Sequence, residues 1–146
     1  MKRVLAFLFI VVLSVAFIGC GAEKKEAKTI KVGVILPLTG KLAKFGEIEN
    51  KSFLMAAEEI NAAGGVNGKK IELIIEDTTG KPDVGRSAIE KLITQNKVTV
   101  IGGGYSSSVT WAAVAVAQQQ KVPFLVNTGS ADKITEQGWE YRSRPT

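Results

Sequence analysis

The chain of 146 residues contains no histidine, one cysteine and four prolines, and only 7% of it is aromatic. Without histidine, Ser-His nucleophiles and most zinc sites are excluded. With Cys20 alone, no disulfide can form within the chain. Long apolar runs are scarce as well: the main one, Val4 to Ile18, has only Ser14 as a polar interruption. As a helix it would reach about 22 Å, short of the roughly 30 Å of a bilayer core. Nor is there a basic cluster. The 19 Lys and Arg residues and 14 Asp and Glu residues give a formal charge of +5, but they are interspersed. No nucleic-acid footprint results.

What is present at the start is Lys2-Arg3, the apolar run, then Gly19-Cys20. This is the order of a signal peptide, over residues 1–19, with a small residue at its cleavage site. The stretch Phe17-Ile18-Gly19-Cys20 resembles the lipobox of bacterial lipoproteins, with Phe17 where Leu is usual. That resemblance implies an exported chain anchored through a lipid on Cys20. Residues 20–28, ending GAEKKEAK, are charged and lack an apolar face, so they read as a tether. Residues 29–146 remain for one modest domain with its own core.

Strand and helix signals alternate through that domain. Thr29 to Leu36 reads as a first strand and about Gly46 to Ala63 as a helix with Phe53, Ala56, Ala57 and Ile60 on one buried stripe. Gly64-Gly65 stops that helix, and Asn67-Gly68 turns into a second strand, Lys70 to Glu76. Pro82 opens a second helix with Val84, Ala88 and Leu92 in line, ending near Gln95. Val98 to Ile101, Ser107 to Gln120 and Pro123 to Val126 read as strand, helix and strand. Glu140 to Arg142 can begin a fifth strand, after which the chain reads as the first part of something longer. The alternation predicts an α/β fold, a three-layer, doubly wound parallel sheet with helices on both faces.

In such sheets, ligands sit beyond the carboxyl ends of the strands where the winding reverses. With strand order 2-1-3-4 the crevice lies between strands 1 and 3, bordered by Pro37 to Phe45, Gly102 to Ser106 and Asn127 to Asp132. Nucleotide loops do not fit there. Gly40 to Gly46 has one residue too many for a Walker loop, and GGGYSSS carries neither its lysine nor dinucleotide-fingerprint spacing. Glu76-Asp77 has the acid pair of a magnesium-dependent phosphotransfer site, but no Asp follows strand 3. Asp77 reads better as a loop cap. No catalytic constellation, metal set or cofactor site is assembled, so the chain is expected not to be an enzyme.

The helix after GGGYSSS contains no charged residue, whereas the first helix opens with Glu47 and Glu49, which complement its positive end. An anion at the uncharged helix can accept bonds from serine hydroxyls and backbone N–H groups, each worth roughly 1.5–3 kcal/mol when sheltered. Either Ser106 or Ser107 can be the N-cap, the glycines can serve only close packing, and Trp111 fits core more readily than ligand stacking.

With these residues in view, KVGVILPLTGKLAKFGEIENKSFLMAAEEINAAGGVNGKKIELIIEDTTGKP, VTVIGGGYSSS and VPFLVNTGSADKIT resemble the first part of a branched-chain amino acid-binding protein. These are type I periplasmic binding proteins that deliver substrate to ABC importers. The resemblance implies two α/β lobes that close on a small ligand, of which residues 29–146 supply the N-terminal lobe. It implies that Ser106, with Ser107 beside it, binds a ligand carboxylate and that the Thr128 carbonyl meets an ammonium group. Ser130 would help hold the head group. Phe45 stands where a tyrosine often lines the pocket, and Tyr105, adjacent to Ser106, is counted with the same set. The implied partners are an amino acid, the importer's membrane permease and the membrane itself through the lipid, at the outer face of the cytoplasmic membrane or in the periplasm. The alternative is a ligand-sensing domain of the same fold. The acidic residue that pairs with the ammonium and the far pocket wall would lie beyond Thr146, so the chain alone is expected to bind weakly or not at all.

Overall fold

The computed structural model describes residues 29–144. The expected signal peptide, Cys20 anchor and tether lie outside the described residues. Five strands form one sheet: β1 (Ile30–Leu36), β2 (Ile71–Asp77), β3 (Val100–Gly103), β4 (Phe124–Val126) and β5 (Arg142–Ser143). Every pairing is parallel and the order is β2-β1-β3-β4-β5. This is the expected order with a fifth strand added at the edge, and the reversal falls between β1 and β3. Three helices connect the strands: α1 (Ala43–Ala62), α2 (Pro82–Thr94) and α3 (Ser107–Gln119). No helix among the described residues is long and apolar enough to cross a membrane.

The core lies between the sheet and the α2–α3 layer. Ile35 and Ile101 from the strands meet Ala88, Ile89 and Leu92 of α2, Ala113, Val114 and Ala117 of α3, and Phe124 and Val126 of β4. Because strand side chains alternate, Leu125 points to the opposite face, where it is 47% exposed. That face carries α1, whose Phe53 ring reaches the position a side chain on Gly102 would occupy. The β3–β4 strip next to α1 is open among the described residues.

Several boundaries differ from the expectations. Helix α1 starts at Ala43 rather than Gly46, whose N–H is already bonded to the Leu42 carbonyl at 3.2 Å. Glu47 and Glu49 therefore fall beyond the first turn, which contains no acidic residue. Glu47 instead pairs with Lys51 at 2.7 Å, one turn along the same helix. The expected stripe on α1 is only partly covered: Phe53 and Ala57 are half-buried, while Ala56 and Ile60 are exposed. Ala56 lines the cavity between α1 and the β4 loop, and no element covers Ile60 among the described residues. On α2, Gly85 replaces Val84 at the head of the buried stripe. Strand β3 starts two residues late because Lys97 has φ 57° and the Val98 N–H closes on the Leu92 carbonyl at 3.2 Å. The Asn67-Gly68 turn forms as expected, with φ of 50° and 76° between paired Val66 and Lys69.

Candidate ligand-binding site

Three loops leave the carboxyl ends of β1, β3 and β4 on the same side of the sheet. The β1 loop is anchored by Asp77 at the end of β2. Its Oδ1 accepts from the N–H groups of Leu38 and Thr79 at 2.8 Å and of Thr39 at 3.3 Å, and its Oδ2 accepts from the Thr39 hydroxyl at 2.5 Å. Asp77 is thus a loop cap. Burial pushes its pKa up, but the Thr39 hydroxyl and the N–H groups of Thr79, Leu38 and Thr39 outweigh it and hold the carboxyl below its usual 3.8.

At the end of β3 the chain closes tightly on its neighbours. Gly103 has φ 106°, and a side chain there would place Cβ 2.4 Å from the Ile35 carbonyl oxygen of β1. Only glycine lets β3 approach β1 this closely and turn into α3. The Gly104 carbonyl then accepts the Gly129 N–H at 2.8 Å, and the Gly103 carbonyl accepts the Asn127 N–H at 3.2 Å. These bonds stitch the β3 loop to the β4 loop. Buried Thr110 lies beneath the stitch and donates its hydroxyl to the Ser106 carbonyl at 2.8 Å. Close packing at the three glycines is therefore real, and it fixes the position of the serines.

Ser106 occupies the N-cap position of α3 with φ −79° and ψ 126°, yet its side chain makes no capping bond. Its Oγ lies 3.1 Å from that of Ser108. The Ser107 Oγ accepts the Ala131 N–H at 3.2 Å, a second link to the β4 loop that leaves its O–H available as a donor. Phe45, at the start of α1, stacks on Tyr105 with ring centres 5.0 Å apart and planes 16° from parallel. This pair joins the β1 and β3 sides of the crevice. Ser130 is exposed on the β4 loop. The Thr128 hydroxyl turns to the α1 side and donates to Glu49 Oε1. There a cavity of about 360 Å³ is lined by Ile48, Glu49, Phe53, Asn127 and Thr128. Trp111 faces away from this group, stacked on Trp139 at 5.3 Å with Lys133 above it.

Two residues of this region carry no signal in the sequence that marks them: Glu49, which by position is a helix-end charge, and Thr110, which has no distinctive spacing. Among the described residues no cluster of three or more Asp, Glu, His or Cys side chains could hold a metal ion.

Residues 29–143 match the family model described as "Periplasmic binding protein". The chain belongs to the periplasmic binding protein family. It is 37% identical over 138 residues to Leu/Ile/Val-binding protein homolog 7 of Brucella abortus, covering 93% of this chain and 34% of that protein. It is 32% identical over 127 residues to a leucine-, isoleucine-, valine-, threonine- and alanine-binding protein of Pseudomonas aeruginosa, covering 87% and 34%. Among solved structures it resembles the branched-chain amino acid transporter substrate-binding protein LivJ of Streptococcus pneumoniae in complex with isoleucine. The TM-score is 0.78 at 38% identity, over 82% of this chain and 34% of that one. A Rhodopseudomonas palustris solute-binding protein in complex with 3,4-dihydroxybenzoic acid gives 0.71 at 36% identity, over 80% and 31%. This periplasmic binding protein chain thus has the type I fold and spans about a third of its relatives' length. The family is one of solute-binding proteins.

Proposed function

We propose that this chain is the first lobe of an extracytoplasmic solute receptor that captures a branched-chain or related amino acid and delivers it to the permease of an ABC importer. Cys20, lipidated after removal of residues 1–19, would anchor it to the membrane. The observation that carries the reading is the amino end of α3. Ser106 sits at the N-cap without capping, the helix behind it is uncharged, and the site lies where the sheet order reverses. Backbone N–H groups and hydroxyls converge there on the positive end of a helix dipole, which suits a carboxylate. Ser106 is the group assigned to grip it, with Ser130 and the Thr128 carbonyl at the head group and Phe45 and Tyr105 as an apolar wall. Ser107 stands beside Ser106 as a second hydroxyl, whose oxygen also holds the β4 loop through the Ala131 N–H. The isoleucine bound by the LivJ protein of S. pneumoniae supports the ligand class.

A thermal-shift panel on the full-length protein tests this. Leucine, isoleucine and valine should raise the melting temperature, and their carboxamides should not. Equal stabilisation by the amides would remove the carboxylate from the account.

A further inference from the structure

The cavity beside α1 holds a carboxylate whose role is not explained by packing. Glu49 Oε1 accepts from Asn127 Nδ2 at 3.0 Å and from the Thr128 hydroxyl, both on the β4 loop. Its Oε2 is shielded from solvent and has no hydrogen-bond partner among the described residues. Glu49 takes part in neither of the ion pairs found there, Lys51–Glu47 and Lys91–Glu76. An unneutralised carboxylate therefore backs the β4 loop from the α1 side. The same loop is stitched through Gly129 to the β3 loop, which leads into the positive end of α3. The amino end of α3 at Ser106 and the Glu49 carboxylate behind Thr128 thus lie on opposite sides of these two adjoining loops.

We infer that Glu49 is a specificity-determining residue. Bonded to Asn127 and Thr128, it positions the β4 loop and sets a negative potential there, so that the crevice prefers a zwitterion to a ligand bearing a carboxylate alone. The inference rests on the carboxylate grip at Ser106 proposed above. Glu49 acts through the loop and is a positioning residue.

Calorimetry on the full-length protein with L-isoleucine and with 3-methylpentanoate, the same skeleton without the ammonium group, tests it. Glu49→Gln retains an oxygen acceptor for the loop but loses the charge. It should weaken isoleucine binding by about threefold or more while 3-methylpentanoate binds no more weakly than to the native protein. Glu49→Asp, which keeps the charge, should restore preference for isoleucine, and Glu49→Ala, which releases the loop, should weaken both ligands. A Glu49→Gln protein that binds isoleucine as the native one does, or loses both ligands by the same factor, overturns the inference and leaves Glu49 a tether. A native protein that binds neither ligand overturns the carboxylate grip itself, and the inference with it.

Discussion

Asp77 gathers four donors from the β1 and β2 loops, and the lowered pKa makes its contribution pH-dependent. A carboxyl whose folded pKa is depressed stabilises the fold fully above its unfolded value, about 3.9. That stability is lost as pH falls through 3.8 and on through the lower folded value. Between pH 5 and pH 3 the native protein should therefore lose more stability in urea melts than Asp77→Asn, which should already be weakened by about 1 kcal/mol at pH 7. Equal losses on acidification would show that other carboxyls dominate. Asp77 was legible in the sequence because a loop-capping Asp at a strand end is a local device. Thr110 and Glu49 were not. Thr110 bonds only four residues back, to the Ser106 carbonyl at the head of its own helix, but its contacts with Gly104 and Gly129 are set by how the loops fold back on one another, as are the partners of Glu49, Asn127 and Thr128, far along the chain.

The helices differ in how much of each is covered. Seven of the thirteen residues of α3 are buried, but only Gly46 is buried in the twenty-residue α1. Ile48, Leu54 and Met55 of α1 are 57%, 49% and 59% exposed. Native-state hydrogen exchange on the 146-residue chain should show α3 amides opening only with global unfolding and α1 amides opening earlier, as a separate unit. Equal protection of the two would contradict the packing described. Alternation of strand and helix, and thus the parallel sheet and its reversal point, could be read from the sequence because each crossover needs its own segment. The apolar period on α1 was legible too, but not its covering. Periodicity marks which residues share a face, whereas Ala56 and Ile60 are left exposed by what does not pack on them. The slip at β3 has a similar source: Val98 is apolar and buried, but in the turn before the strand.

At the scale of the whole molecule, the sheet, the stitched β3 and β4 loops and the uncapped end of α3 form one continuous surface, the one proposed above as a wall of the ligand site. The core behind that wall is continuous from α2 through α3 to β4, so the serines sit on a rigid support. The chain spans 34% of the length of its B. abortus and P. aeruginosa relatives, so the proposed binding is to be tested on the full-length protein. The most direct measurement is calorimetric titration of the full-length protein with L-isoleucine, native against Ser106→Ala, with melting temperatures recorded for both. A lost charge-assisted hydroxyl should weaken binding by about 10- to 100-fold while the melting temperature of the free protein stays within a degree or so. Unchanged affinity in Ser106→Ala would contradict the carboxylate grip at α3.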